Sequence, residues 1–359
     1  MLTETKLNSK FPKGLLDVNQ VKPKKDYHVL ELFAGAGGLA LGLKQAGFHN
    51  VGLVEFDHNA CETLRLNEPN WHVIEEDITK ITSSKNGIYD YISPDTNVDL
   101  LSGGYPCQSF SYAGKKMGLN DTRGTLFYHY AEIMKQVKPK MFLVENVKGL
   151  LTNDHGRTLQ TMINVFTKLG YQVTYQVLSA WNYGIAEKRE RLIMIGIRND
   201  LPITFQYPKP NSYKPVLRDV LQNVPKSAGQ SYSSAKKAVM QLVPAGGYWR
   251  NLPEDVAKKY MGKSYYSGGG KTGMARRLSW DEPSLTLTTS PSQKQTERCH
   301  PDETRPLTVR EYARIQGFPD SWQFAGGVGS CYKQIGNAVA VNFAKKIGLA
   351  IINSLNQLP

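Results

Sequence analysis

The sequence predicts an α/β protein in which a doubly wound, mostly parallel sheet is followed by a smaller, irregular domain. Two observations predict this architecture. From about residue 28 to residue 198, short apolar runs alternate with helical stretches, which is the pattern of right-handed βαβ units. From residue 201 onwards prolines interrupt the pattern, and the region that follows is rich in Gly, Tyr and Lys.

The expected strands are short apolar runs, and the expected helices have apolar residues at helical spacing. Strands are predicted at residues 28–33, 51–56, 98–102, 141–144, 173–178 and 192–197. Helices are predicted at residues 39–46, 60–67, 126–136, 159–169, 307–315 and 337–355. The expected domains are a basic extension at 1–26, the sheet domain at 27–203, the smaller domain at 204–332, and a C-terminal helix at 333–359 that returns to the sheet domain.

Positive charge is concentrated in two parts of the chain. The formal net charge is +13, and residues 201–300 hold 15 Lys and Arg against 6 Asp and Glu. Residues 1–26 hold 6 against 3. A local excess of this kind favours a polyanionic partner, nucleic acid first, with a solvated basic surface as the alternative.

Cysteine usage and hydropathy predict a cytoplasmic protein. The four cysteines include no CxxC pair, and Cys299-His300 with Cys331 is too sparse for a metal site, so no metal is expected. No run of 18 apolar residues predicts a membrane span, and the polar N-terminus is unlike a signal peptide.

A glycine turn joins the first predicted strand to its helix. Gly35 and Gly37 allow close approach of a ligand to the backbone and to the helix N-terminus. Glu55 ends the next strand, where a carboxylate can hold two ribose hydroxyls, and Asp77 is placed to meet an adenine amino group. The turn also satisfies the dinucleotide fingerprint, so an NAD enzyme is open at this point.

Two further strand ends carry candidate catalytic groups. Cys107 follows a buried strand and a Gly/Pro turn, and Glu145 ends the next predicted strand. Ligands of open α/β sheets lie beyond the carboxyl ends of strands, so a thiolate nucleophile and a carboxylate are expected there. Arg189 and Arg191 alternate before the last strand, which predicts that they share one face and contact an anion or a substrate carbonyl.

Six motifs in order resemble the bacterial-type DNA cytosine-5 methyltransferases of restriction–modification systems. They are Phe33-x-Gly35-x-Gly37, Pro106-Cys107-Gln108, Glu145-Asn146-Val147, Arg189-x-Arg191, Arg305-Pro306-Leu307-Thr308-x-Arg310-Glu311 and Gln334-Ile335-Gly336-Asn337-Ala338. The resemblance covers roughly residues 28–200 and 303–350. It departs at Glu187, where the family usually has Gln.

The resemblance implies a Rossmann-like fold that binds S-adenosyl-L-methionine, releases S-adenosyl-L-homocysteine and methylates a flipped-out cytosine in duplex DNA. Cys107 would attack C6 of the base and Glu145 would hydrogen-bond N3 and the exocyclic amine. Arg189 would contact the base carbonyl, and Arg191 would orient Cys107 or Glu145. The implied cofactor positions are Phe33, Gly35, Gly37, Glu55, Phe56, Asp77, Ile78, Pro106, Leu126 and Asn337.

The same resemblance makes the smaller domain a target-recognition domain. DNA contacts are expected from Gln108, Ser111, Arg123, Arg276, Arg277, Lys294 and Arg298, with Gln293 and Gln295 near them. A monomer without an obligate protein partner is the simplest expectation, because the chemistry needs one active site. An RNA substrate and a non-catalytic DNA-binding protein are the alternatives, and intact Cys107, Glu145 and Arg189 argue against the second.

Overall fold

The computed structural model describes residues 10–105, 126–267 and 272–359, and the chain divides into two compact units. The larger unit takes the residues up to Ser179, Glu190–Pro210 and Val339–Pro359. The smaller unit takes Ala180–Arg189 and Asn211–Ala338. The smaller unit therefore includes Ala180–Arg189, which precedes the last strand of the main sheet. The expected boundaries at residues 203 and 332 place this segment in the sheet domain.

A seven-stranded sheet forms the larger unit, in the order β3-β2-β1-β4-β5-β8-β6. The first five strands of that order are parallel to their neighbours, whereas β8 pairs antiparallel with both β5 and β6. The predicted mostly parallel, doubly wound sheet is confirmed. Its strands are β1 Tyr27–Leu32, β2 Phe48–Glu55, β3 Val73–Glu75, β4 Leu100–Gly103, β5 Met141–Val147, β6 Tyr171–Ser179 and β8 Glu190–Arg198.

Within the described residues of the larger unit, the α-helices are α1 Gly38–Ala46, α2 His58–Asn67, α3 Ile78–Ser83, α4 Leu126–Val137, α5 Arg157–Lys168 and α11 Val341–Leu355. The helices predicted at 39–46, 60–67, 126–136 and 159–169 correspond closely to α1, α2, α4 and α5, whereas α3 is not among the predicted helices. The C-terminal helix begins at Val341 and not at Asn337 as predicted, because Asn337 is the last residue of a separate helix, Val328–Asn337. An 18-residue window within Val328–Leu355 has a mean hydropathy of 1.4, and 67% of this window is buried inside the protein, as expected of core helices.

The core of the larger unit is formed by apolar side chains of the strands that pack against the helices. Leu30, Leu101, Phe142 and Met194 from neighbouring strands are fully buried together with residues of α4 and α5. Parallel strands covered by helices bury both faces, which is why these strands are near-continuous apolar runs in the sequence.

The N-terminal segment from residue 10 to residue 26 packs along the larger unit. The Lys10 ammonium donates hydrogen bonds to the carbonyls of Arg198 and Leu201. Leu16 forms an isolated β-bridge with Pro208, and Lys24 donates to Asn356. At least two basic residues of the extension, Lys10 and Lys24, therefore form hydrogen bonds within the protein.

The smaller unit has its own hydrophobic core, which includes Met240, Val243, Ala257 and Met274. Its two-stranded sheet pairs β7 Glu187–Lys188 with β9 Ser284–Leu285. Among the residues that the structure describes, its helices are α6 Leu217–Val220, α7 Ser234–Gln241, α8 Glu254–Met261, α9 Val309–Ile315 and α10 Val328–Asn337. The rest is turns and loops, as the weak periodicity predicts.

Candidate active site

The glycine turn after β1 is held by the carboxylate of Glu55. Gly35 N–H donates to Glu55 Oε2 at 2.8 Å, and the N–H groups of Phe56 and Asp57 donate to Oε1 at 2.9 and 2.8 Å. Gly37, the N-cap of α1, has φ +84°, a conformation that glycine adopts without strain. The carboxylate thus fixes the turn and lies where the ligand is expected.

An exposed aromatic ring lies beside this carboxylate. Phe56 is 71% exposed, unusual for a large apolar side chain, whereas Ile78 is buried. Asp77 caps α3 by accepting a hydrogen bond from Thr79 N–H at 2.8 Å, and this bond is the main reason that the pKa of Asp77 is lowered. Leu126 begins α4. An apolar platform and an ionised carboxylate are what an adenine ring and its amino group require.

The carboxyl ends of β4 and β5 bring the next group of residues together. Gly103 pairs with Val144 in register, so Gly104 lies against Glu145. A Cβ at Gly104 would come within 3.0 Å of Glu145 Oε2. Asn146 is buried, and its side-chain amide donates to the carbonyl of Tyr105 at 3.0 Å. These contacts fix the backbone two residues before Cys107.

Arg191 pairs with Glu145. Its Nε lies 2.8 Å from Glu145 Oε1, and each side chain is 13% exposed. The antiparallel register places Arg191 opposite Val147, and therefore diagonal to Glu145 on one face of the sheet. Long side chains reach each other across such a diagonal.

Arg189 has a different environment from Arg191. The chain changes partner strand at this residue, because β7 pairs with β9 and β8 pairs with β5. Arg189 is 2% exposed and donates to the carbonyls of Leu287, Gly336 and Ala338 at 3.3, 3.0 and 3.0 Å. The two arginines therefore have different partners, and Arg189 holds three backbone carbonyls of the smaller unit.

Glu187, where the family usually has Gln, is fully buried in the same cluster. Its Oε1 accepts a hydrogen bond from Leu287 N–H at 2.7 Å and lies 3.5 Å from Arg189 Nη1. Glu187 in the place of Gln thus adds a buried ion pair with Arg189 to the smaller unit. Asn337 ends α10 between Gly336 and Ala338, two of the three residues whose carbonyls Arg189 binds, and its side chain is exposed.

The basic residues predicted to contact DNA have unequal exposure. Arg277 is buried and donates to the carbonyls of Met240, Val243 and His300, while Arg298 is buried and donates to Glu297 and Thr286. The structure corrects the assignment of both: buried guanidiniums that bind backbone carbonyls cannot also meet DNA. The Arg276 side chain is 13% exposed and lies 3.4 Å from the carboxylate of Glu282.

Lys294 is exposed. The remaining predicted residues lie outside the described part of the chain: Pro106, Cys107, Gln108, Ser111 and Arg123.

Glu31 is a buried carboxyl group that sequence reasoning missed. It lies on β1 directly before the glycine turn, 1% exposed, with Ser102 Oγ 3.5 Å from its Oε2. Burial raises its pKa to about 8. The signal in the sequence was an acidic residue inside an apolar strand run, where charged groups are rare.

Comparison with known proteins agrees with this geometry. The profile of the C-5 cytosine-specific DNA methylase family matches residues 27–353. Type II methyltransferase M.Sau96I of Staphylococcus aureus is 60% identical over 346 residues, covering 95% of this chain and 79% of that protein. Type II methyltransferase M.PspPI of Psychrobacter sp. is 57% identical over 349 residues, covering 94% and 82%.

A solved structure shares the fold. It is a proposed DNA modification methyltransferase encoded within an E. coli prophage, with a TM-score of 0.66 and 24% identity, covering 92% of this chain and 100% of that chain. The ordered motifs, the strand-end carboxylates and the family match over most of the chain lead to one assignment. The chain belongs to the C-5 cytosine-specific DNA methylase family.

Proposed function

We propose that this chain, a DNA cytosine-5 methyltransferase, transfers a methyl group from S-adenosyl-L-methionine to C5 of a cytosine flipped out of a short, specific duplex sequence. The observation that carries the proposal is the Glu145–Arg191 pair, at the same sheet edge as the glycine turn and Glu55. An NAD enzyme has no role for the Glu145–Arg191 pair. The product is S-adenosyl-L-homocysteine.

The residues at the ends of β1 to β3 fit the methyl donor. Glu55 accepts three backbone N–H bonds, and a carboxylate has about four acceptor positions, so it keeps capacity for a ribose hydroxyl. The exposed ring of Phe56 offers a stacking surface for adenine. We assign Phe33, Gly35, Gly37, Asp77, Ile78, Leu126, Pro106 and Asn337 to the same role from the family motifs.

Cys107 is proposed to add its thiolate to C6 of the cytosine. Addition makes C5 nucleophilic, C5 takes the methyl group, and loss of the C5 proton then breaks the bond between Cys107 and C6. S-adenosyl-L-methionine supplies an electrophilic methyl group when bound. Because C6 cannot be attacked from above while the base is stacked, the base must leave the duplex.

Glu145 is proposed to hydrogen-bond N3 and the exocyclic amine of the base. Arg191 holds Oε1, so we assign Oε2, which faces the backbone at Gly104, to the base. Arg191 fits a role beside Glu145 and the base better than Arg189 does, because the guanidinium of Arg189 is bound to backbone carbonyls. We therefore propose Arg191 as the arginine of the active site and Arg189 as a positioning residue.

We further propose that the chain acts in the bacterial cytoplasm as a monomer and protects DNA within a restriction–modification system. The net charge of +13 supports duplex DNA as the partner. Gln108, Ser111 and Arg123 are proposed to contact DNA near the flipped base, on the strength of the family motifs alone.

Bisulfite sequencing of plasmid DNA from a methylation-free host tests this proposal. We expect protected cytosines in one short recurring context when the chain is expressed, and none with Cys107→Ala. If soluble protein that binds S-adenosyl-L-homocysteine protects no cytosine, duplex DNA is not its substrate, and transfer RNA becomes the next substrate to label.

A further inference from the structure

We propose that the exposed turn Gln293–Lys294–Gln295 of the smaller unit contacts base edges in the major groove and selects the target sequence. Gln293 and Gln295 supply the base contacts, and Lys294 binds an adjacent phosphate. This inference rests on the proposed function and adds to it the residues that determine specificity.

Exposure separates this turn from the neighbouring basic residues. Gln293, Lys294 and Gln295 are three exposed side chains in succession, whereas Arg298, three residues after Gln295, is buried. A side chain must be accessible to contact a base edge, and the buried guanidiniums of the unit bind its own carbonyls. The turn therefore projects from a scaffold that those arginines hold.

Backbone hydrogen bonds close the base of the turn. Thr296 N–H donates to the carbonyl of Gln293 at 3.1 Å, and Arg298 N–H donates to the carbonyl of Pro291 at 2.8 Å. Glu297 N–H donates to the carbonyl of Gly273 at 2.8 Å. A Cβ at Gly273 would overlap the carbonyl of Gln295, so glycine permits this close approach.

A buried ion pair lies directly beneath the turn. Glu297 is fully buried, and its Oε2 lies 2.6 Å from Lys236 Nζ, which also donates to the carbonyl of Ser292 at 2.6 Å. The hydroxyls of Thr288 and Thr296 lie 3.1 Å apart. Contacts on both sides of the turn fix its backbone before any ligand binds, and a preorganised contact surface loses less entropy on binding.

The side chains have the chemistry for groove contacts. Gln293 Oε1 accepts a hydrogen bond from Thr296 Oγ1 at 3.1 Å, which orients its amide and leaves the NH₂ group to donate. A glutamine amide pairs with adenine N6 and N7, and its NH₂ alone can donate to purine N7. Lys294 Nζ lies 5.1 Å from the ring centroid of Tyr260, a cation–π contact that directs the ammonium.

Binding selectivity of single variants tests the inference. The purified full chain, with S-adenosyl-L-homocysteine, is incubated with a duplex library that carries every single-base change of the methylated sequence. We expect Gln293→Ala or Gln295→Ala to reduce discrimination at one base pair by roughly 10- to 100-fold. We expect Lys294→Ala to weaken binding to all sequences alike, with the slope of log K against log salt reduced by about 1.

Exposed residues of the larger unit give matched controls. Gln176→Ala and Lys168→Ala remove an exposed amide and an exposed ammonium, and selectivity and salt slope should not change. If both glutamine variants keep the wild-type preference at every position, the turn does not select the sequence, and the proposed function still stands. If the wild-type chain methylates no duplex, the proposed function fails independently of these variants.

Discussion

Glu145 and Arg191 form an ion pair of 2.8 Å, which is one of the two contacts that the family resemblance implied for Arg191. Glu145 was predicted because an apolar run leads into it, and that prediction needs no tertiary information. The strand that each arginine joins decides whether Arg189 or Arg191 can contact the carboxylate of Glu145. One residue separates them in the chain, yet the first binds carbonyls of the smaller unit and the second binds the candidate catalytic carboxylate.

Replacement of Glu145 tests its role at the residue scale. Glu145→Gln keeps the size of the side chain and removes the charge that pairs with Arg191. We expect the single-turnover rate of methyl transfer to fall by about 100-fold or more, because a group in contact with the reacting base contributes on that scale. The melting temperature and S-adenosyl-L-homocysteine binding should change little.

Glu190→Gln is the matched control for this variant. Glu190 begins β8, the strand that carries Arg191, but is exposed and pairs with Lys148 at the surface. Its loss should leave the rate within about twofold. Equal rate losses in the two variants would refute a specific role for Glu145.

The buried carboxyl of Glu31 predicts a pH dependence of stability. Its pKa is raised to about 8 in the folded protein, so between the unfolded value near 4.5 and pH 8 the folded state binds more protons than the unfolded state. The free energy of unfolding then decreases as pH rises through this window. Glu31→Gln removes this contribution.

Urea denaturation of the wild type and Glu31→Gln at pH 5, 7 and 9 measures the effect. We expect the stability of Glu31→Gln relative to the wild type to rise from pH 5 to pH 9. A difference that does not change with pH would mean that Glu31 is ionised throughout.

At the scale of elements, the parallel strands bring distant motifs to one edge. The ends of β1, β2 and β3 carry the glycine turn, Glu55 and Asp77, and those of β4 and β5 carry Gly104 and Glu145. Residues that end parallel strands meet at one sheet edge whatever their separation in sequence. The alternating pattern therefore predicted most of the candidate site along with the sheet.

Gly104→Ala tests the close approach of β4 to Glu145. The added Cβ would lie 3.0 Å from Glu145 Oε2 and would displace the carboxyl group. Small displacements of reacting groups are costly, so we expect kcat to fall by about 10-fold or more. Gly149→Ala is the control, because its Cβ would meet Val147 at an ordinary 4.0 Å, and its kcat should match the wild type.

On the scale of the whole molecule, the chain is two units with separate cores, and the smaller one is held by buried charged groups as well as by apolar contacts. Its few regular elements bury Arg277, Arg298 and Glu297 together with a small apolar core. Buried charges require partners, and here backbone carbonyls and Lys236 supply them. The basic composition of the region is therefore partly structural.

Arg277→Met tests this structural role. The variant removes the guanidinium that donates to the carbonyls of Met240, Val243 and His300, which we expect to cost about 3 kcal/mol. Limited proteolysis should cut first within residues 211–338. Lys258→Met, at an exposed lysine of the same unit, should leave the cleavage rate unchanged. An Arg277→Met protein as resistant as the wild type but weaker in DNA binding would return Arg277 to the DNA-contacting set.

The sequence by itself determined the sheet, its strand-end motifs and the family, because periodicity and glycine turns are local properties of the chain. Only the tertiary structure decided that Arg189 binds carbonyls of the smaller unit, which lysines and arginines are exposed, and that Glu31 is buried. Those properties depend on strand register and on packing between segments far apart in sequence. The smaller unit shows the difference most clearly, because its loops have no repeating pattern from which burial can be inferred.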